Sequence, residues 1–270
     1  MNIKQYQKIK LINSFGLDDD LTKRLKVISE LSGKSFEELE SLPLSELTKV
    51  SKKYNLTLDY NNNNKLKKVY KIGNVKYKFK WKLSELSASQ FISINYIISK
   101  AKDKDIEYVL HNILACLAYP VDFWGRTKPY NDKLHNKISE NLLNNMDIQD
   151  AFSILSFFFI VYDGIRKSYS TLLTGKDRAN EDADEEVEDD RDEYSEEVQD
   201  EIDISPENLY KEKWGWIIII NDLSNDKRWK WDYFFNMDLV EFLNTVSFFK
   251  DKNDYEYELQ KRANRKNNNI

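Results

Sequence analysis

The chain has 270 residues and a formal net charge of -5. The charge is unevenly distributed. Residues 1–176 carry 28 basic and 19 acidic side chains, whereas residues 177–203 carry 2 basic and 16 acidic side chains. The charges of residues 204–270 sum to zero. The single cysteine, Cys116, excludes an intramolecular disulfide and suits a reducing compartment. We expect no signal peptide. We also expect no membrane segment, because the longest apolar run, residues 151–162, falls short of the about 20 residues that span a bilayer.

The first third of the chain has the pattern of short helices. Apolar residues recur at helical spacing from Leu21 to Leu31, and Gly33 is placed to end that helix. Ser35 and Glu38 form a capping box for a short second helix. Pro43 then starts a third, over roughly residues 44–54.

A β-hairpin is predicted near residues 69–82. Aromatic and aliphatic residues alternate with lysines on both sides of Gly73-Asn74, which supplies a tight turn. The lysine face could meet phosphate. Such alternation is more typical of a strand with one buried face, so we expect no nucleic-acid contact here.

Helices resume after the hairpin. Ser87 and Gln90 form a second capping box, an apolar stripe over residues 106–117 predicts a buried helix that ends at Pro120, and Asp147 begins the longest helix of this half. The predicted core of this half is apolar throughout and comprises Leu110, Ile113, Leu114, Leu117, Ile154, Phe158 and Val161.

The fold class predicted from these patterns is mainly α with a small β-hairpin. Residues 1–176 should form a helical domain, and residues 177–203 an acidic linker too poor in apolar side chains to fold. Residues 204–270 should form an aromatic-rich helical hairpin. In that arm "KWGWIIIIND" is an amphipathic helix, and Asp238 and Glu241 make a third capping pattern. The tail from residue 250 should protrude or fray.

The sequence contains no pattern that indicates catalysis. His111 and His135 lack metal-ligand spacing, Cys116 has no evident activating base, and "LLTGKDR" lacks the first glycine of a phosphate loop. We therefore expect no enzyme activity, no metal and no cofactor.

The arm contains more aromatic residues than a small core needs. Four of the six tryptophans lie within residues 214–231, and two helices cannot enclose so many rings. Some rings should therefore be exposed or lie on the N-terminal domain, and exposed aromatic patches mark partner sites. The candidate partner-binding residues are Trp214, Trp229, Trp231 and Phe234.

Several phrases of the sequence resemble the tail assembly chaperones of phages that infect Bacteroidota-type hosts. They are "ISELSGKSFEELESLPLSEL", "YKIGNVKYKF", "ELSASQFISI" and "LHNILACLAYP" in the first half, and "GWIIIINDLSNDKRWKWDYFFNMDLVEFLNTVSFFKDKNDYE" in the second. In lambda-like phages the two segments come from one frame and a frameshifted extension, whereas here they are continuous.

The resemblance implies a non-enzymatic protein of the host cytoplasm during virion assembly. Its partners would be the tape-measure protein, which it keeps soluble, and the tail-tube subunits that it recruits. The main alternative is a structural head, neck or tail component of the virion. A nucleic-acid-binding or DNA-mimic regulator is a third, weaker alternative. The sequence does not indicate the oligomeric state.

Overall fold

The computed structural model describes residues 1–14, 20–53, 66–80, 82–101, 106–127, 130, 132–169, 172 and 206–267. The predicted linker, residues 177–203, lies outside them. The described chain is mainly α-helical with a small antiparallel sheet, as the sequence predicted. The helices are α1 (Ile3–Ser14), α2 (Asp20–Ser32), α3 (Phe36–Glu40), α4 (Leu44–Lys53), α5 (Ala88–Lys100), α6 (Leu110–Leu117), α7 (Asp132–Asn145), α8 (Ile148–Ser168), α9 (Pro206–Leu223), α10 (Trp231–Asn236) and α11 (Leu239–Asn267).

The sheet has the order β1 (Tyr70–Ile72), β2 (Val75–Phe79), β3 (Ala118–Pro120). The first two strands are the predicted hairpin, and Gly73 has the positive φ of 57° that its turn requires. The third strand corrects the sequence analysis. The helix expected to reach Pro120 ends at Leu117, and the next three residues pair antiparallel with β2 instead.

Two compact units divide the chain. Unit 1 comprises residues 1–82 and 93–160, and unit 2 comprises residues 83–92 and 161–270. This division differs from the predicted boundaries at residues 176 and 204, because unit 2 includes two stretches from the first 176 residues.

The core of unit 1 contains the predicted apolar stripe. Leu110, Ile113, Leu114, Leu117, Ile154 and Phe158 are all buried. Val161, by contrast, is half-buried and belongs to unit 2. A smaller cluster joins α2 to α3 through Leu25, Ile28 and Leu39.

The first helix, α1, was not predicted. Ile3, Tyr6 and Ile9 are buried along one face of it. Its signal in the sequence is the spacing of Asn2 and Gln5, which form a capping box. The Asn2 side chain accepts a hydrogen bond from the Gln5 backbone N–H at 2.8 Å, and the Gln5 side chain accepts one from the Asn2 N–H at 3.2 Å.

The predicted capping boxes take two forms. Ser87 and Gln90 make both reciprocal hydrogen bonds, with the Ser87 N–H 2.9 Å from Gln90 Oε1 and the Gln90 N–H 3.4 Å from Ser87 Oγ. Ser35 accepts from the Glu38 N–H at 3.1 Å, but the Glu38 carboxylate pairs with Lys34 instead of reaching back. One half of that box is therefore replaced by an ion pair along the helix.

In each unit an antiparallel β-bridge joins the residues that directly precede two helices. In unit 1 Asn2 pairs with Asp147, and in unit 2 Ser87 pairs with Asp238. The unit 2 bridge has two backbone hydrogen bonds, from Ala88 N–H to Met237 O at 3.0 Å and from Leu239 N–H to Leu86 O at 2.9 Å. It fixes the start of α11 to the start of α5.

Candidate functional site

Some aromatic rings of unit 2 pack against one another between helices, and we call these the inner set; others are exposed to solvent. The inner set is a chain of contacts in which Trp216 on α9 lies 5.6 Å from Phe91 on α5 and 5.9 Å from Phe242 on α11, between ring centroids. Phe91 and Phe242 are fully buried. These rings fill the space between three helices. Residues 83–92 thus supply the additional surface that two helices of the arm alone would lack.

The outer rings face solvent: Trp214 lies on α9 and Phe248 on α11, whereas Trp229 lies in the 3-10 turn Arg228–Lys230 and Tyr233 on α10. Their exposed fractions are 42% for Trp214, 77% for Trp229, 64% for Tyr233 and 63% for Phe248. We call these four residues the outer ring surface. Lys230 Nζ lies 5.3 Å from the ring centroid of Trp229, so a cation accompanies the most exposed member.

The four predicted partner-binding residues do not share one environment. Trp214 and Trp229 belong to the outer ring surface. Trp231 is half-buried, with a buried indole Nε1 that has no hydrogen-bond partner among the described residues. Phe234 is buried, with 9% of its surface exposed, so this candidate partner-binding ring is not accessible from solvent. The short helix α10 turns Phe234 inward, while the preceding Tyr233 remains outside.

The candidate partner-binding residues did not include Tyr233, Phe248 or the exposed residues of the α11 tail. Tyr255 and Leu259 continue the exposed line of Phe248 at spacings of seven and four residues, and they are 65% and 46% exposed. That heptad-like spacing is visible in the sequence. As predicted, the tail protrudes: α11 continues to Asn267, and every residue from 251 to 264 is exposed.

A shallow groove lies along the first turns of α11. It is lined by Asp238, Val240, Glu241, Asn244, Thr245 and Phe248. Asn244 is held by the Tyr169 hydroxyl, which donates to its Oδ1 at 2.8 Å. Neither Asp238 nor Glu241 forms an ion pair within the described residues. The groove therefore combines two carboxylates with one exposed aromatic ring.

Unit 1 has its own exposed rings in the loop after β3. Phe123 is 95% exposed and Trp124 is 77% exposed. Asp122 fixes this loop by accepting hydrogen bonds from the Arg126 backbone N–H at 2.8 Å and from its Nε at 3.1 Å. The exposed rings of the molecule are thus not confined to the C-terminal helices.

The cysteine lies closer to a base than the sequence suggested. Cys116 Sγ is 3.8 Å from His135 Nδ1 and 3.9 Å from the Tyr130 hydroxyl. The cysteine is fully buried, so its thiol cannot meet a substrate from solution. Burial lowers the pKa of His111, and the nearby charge of His135 lowers it further. Within the described ranges no group of three or more His, Cys, Asp or Glu residues could hold a metal ion.

One helix of the described chain, α8, is long and apolar enough to cross a membrane by length and composition. The sequence predicts no such segment, because the apolar run of residues 151–162 is only 12 residues long, whereas α8 extends over 21 residues. Core helices of soluble proteins meet the same criterion, and Ala151, Ile154, Leu155 and Phe158 of α8 are buried within unit 1.

Comparison with protein-family models, with curated proteins and with solved structures finds no match to this chain.

Proposed function

We propose that the chain is a non-enzymatic assembly protein that binds a protein client through the outer ring surface, and that it serves as a phage tail assembly chaperone. The proposal is supported by the separation of the rings of unit 2 into two sets. Phe91 and Phe242 are buried in the core of this unit and the half-buried Trp216 packs against both, whereas the outer rings are exposed. Large exposed aromatic residues mark protein-binding sites, where they supply most of the binding energy.

The observation that carries the proposal is the exposure of Trp229. Its indole is 77% exposed although a filled aromatic core lies within the same unit. Tyr233 and Phe248 are similarly exposed. Leaving this much apolar surface in water forgoes about 25 cal/mol for each Å² that burial would remove. A client that covers the rings recovers this free energy.

The proposed client is the apolar face of a long helical protein, as the tape-measure protein of a phage tail would offer. Amphipathic helices bind through anchors three, four and seven residues apart, and exposed rings along helices suit such anchors. Recruitment of tail-tube subunits, in the cytoplasm of the host, completes the proposed role. The net charge of -14 of residues 177–203 would help to keep such a complex soluble.

Co-expression with a tape-measure fragment from the same genome tests the proposal. The double variant Trp229→Ala and Tyr233→Ala should weaken client capture by on the order of 2 kcal/mol or more, as hot-spot aromatics do, and should leave the thermal melt unchanged. Trp124→Ala is the matched control, because this tryptophan has the same 77% exposure but lies in unit 1. Equal loss of capture in the control would contradict an assignment to the outer ring surface.

Mass spectrometry of purified virions separates the chaperone from a structural component. A chaperone that acts during assembly is absent from the finished particle, whereas a head, neck or tail protein is present in stoichiometric amounts. Stoichiometric presence would refute the chaperone role while leaving the client-binding surface in place.

A further inference from the structure

The two bridged helix pairs are related by an internal sequence repeat. Residues 145–158, "NMDIQDAFSILSFF", align without gaps with residues 236–249, "NMDLVEFLNTVSFF". Six of the 14 positions are identical, and the Asp150–Glu241 and Leu155–Val246 pairs preserve charge or apolar character. The partner helices align as well: "NIKQYQKI" from Asn2 matches "SASQFISI" from Ser87 at the glutamine, the aromatic residue and the last isoleucine.

The structure repeats with the sequence. In unit 1 the Ile3 N–H donates to Met146 O at 3.2 Å and the Ile148 N–H donates to Met1 O at 3.0 Å. These are the same two bonds that join α5 to α11 in unit 2. Phe157 and its counterpart Phe248 are both exposed, at 47% and 63%, whereas Phe158 is buried and its counterpart Phe249 is half-buried.

The two acidic residues of this repeat have cationic partners in unit 1. The Met1 ammonium lies 3.3 Å from Asp147 Oδ2. Lys67 Nζ lies 2.9 Å and 2.7 Å from the two oxygens of Asp150. The hydrogen bond from Lys67 to Asp150 raises the pKa of this lysine, partial burial lowers it, and the charges of Asp150 and Asp147 raise it further.

Lys67 lies three residues before β1, in the segment that leads into the hairpin. The Lys67 backbone N–H donates to the Tyr70 hydroxyl at 3.0 Å, and the Lys67 ammonium lies 5.5 Å from the centroid of that ring. Tyr70 is buried and packs edge to face on Phe79. Unit 1 thus supplies its own cation to the start of α8: Lys67, which is held in place by Tyr70 three residues later.

Unit 2 has the equivalent acidic residues, but among the described residues no cation pairs with them. Asp238 and Glu241, the counterparts of Asp147 and Asp150, are exposed, line the groove at the start of α11 and have no ion-pair partner within the described ranges.

We propose that the groove of Asp238, Glu241 and Phe248 is a docking site for a segment of a partner protein that carries a lysine or arginine and an aromatic residue three positions later. The basic side chain pairs with Glu241, as Lys67 pairs with the equivalent Asp150. The aromatic residue holds the basic residue in place, as Tyr70 holds Lys67, and Phe248 borders the site as the exposed Phe157 does in unit 1. Charge complementarity and the occupied equivalent in unit 1 select this occupant. The inference rests on the proposed function only in taking the partner to be a protein.

A labelled synthetic peptide of residues 66–72, "LKKVYKI", serves as the probe, because it is the segment that unit 1 presents to the equivalent site. Its binding to the full chain is measured by fluorescence anisotropy at low salt. We expect Glu241→Gln to weaken binding roughly two- to fivefold, the range of an exposed ion pair, and Phe248→Ala to change it by less than about twofold, because the counterpart Phe157 stays exposed in unit 1. Glu256→Gln, an exposed acidic residue of α11 outside the groove, is the control and should bind as the wild type does.

Three results would overturn the inference. The first is absence of binding at about 1 mM peptide, and the second is equal binding by all variants; either assigns the acidic residues to helix capping alone. The third is a dimer in sedimentation that Phe248→Ala dissociates, because a second copy would then occupy the groove. Failure of this test is distinguishable from failure of the proposed function, which is measured with Trp229→Ala and Tyr233→Ala and without the peptide.

Discussion

Replacing Phe91 with alanine tests whether residues 83–92 belong to the fold of the C-terminal helices. Phe91 lies at the start of α5, far in sequence from residues 206–267, yet its ring contacts Trp216 and also Tyr162 at 6.0 Å. If the C-terminal helices folded as an independent hairpin, this substitution would leave them unaffected.

The expected loss follows from burial. Phe91 is 1% exposed, and truncation of a buried phenylalanine to alanine costs about 3–5 kcal/mol. Of this, the edge-to-face contact with Trp216 contributes about 0.5–1.5 kcal/mol. A double-mutant cycle with Trp216→Ala should therefore show coupling of that size, because the two residues touch.

Native-state hydrogen exchange shows which helices lose stability in Phe91→Ala. Phe91→Ala should lower the protection of the backbone amides in α9 and in the buried part of α11. Leu142→Ala is the control: it removes an equally buried side chain, at a cost of about 2–5 kcal/mol, but from α7 in unit 1.

Unchanged protection of α9 and α11 in Phe91→Ala would contradict the assignment of residues 83–92 to unit 2. The boundary predicted at residue 204 would then describe the C-terminal fold correctly.

Three further predictions concern unit 1. Leu114→Asp should destabilise it by more than about 4 kcal/mol, since an unpaired charge would replace a fully buried side chain; a cooperative melt near that of the wild type would contradict this. The pKa of His111 is lowered on folding, so the unfolded state binds the proton more tightly, and stability should fall as the pH drops below about 6.5. Denaturant midpoints should therefore fall from pH 7.5 to pH 5 less in His111→Gln than in the wild type, and equal slopes would exclude this histidine as a cause. Gly125→Ala should cost about 1–2 kcal/mol, because its φ of 78° is left-handed while no atom lies within 4 Å of the added carbon; a melt unchanged from the wild type would show that the loop relaxes.

The local features of the fold could be predicted from the sequence. Ser35, Ser87 and Asp238 cap helices because their side-chain oxygens reach N–H groups two or three residues later, which depends on no distant residue. The Gly73-Asn74 turn sets the register of β1 and β2 for the same reason. The capping box of Asn2 and Gln5 and the internal repeat were equally visible but were not recognised.

Contacts between residues far apart in the sequence determine the third strand and the packing of the aromatic rings. Ala118–Pro120 continues an apolar helical stripe in the sequence, and only the proximity of β2 makes it a strand. Among Trp214, Trp216, Trp229 and Trp231 the sequence contains no signal that separates inner from outer rings. Trp216 is an inner ring because Phe91, 125 positions earlier in the chain, lies against it.

The sequence by itself determined the mainly helical class, the hairpin and the surplus of aromatic residues in the last third of the chain. The tertiary structure decided which aromatic side chains are exposed and which acidic residues have a cationic partner. Helix caps and tight turns are made within a few residues, so local sequence specifies them. Burial of a ring and pairing of a carboxylate depend instead on groups supplied by distant segments, such as Phe91 for Trp216 and Lys67 for Asp150.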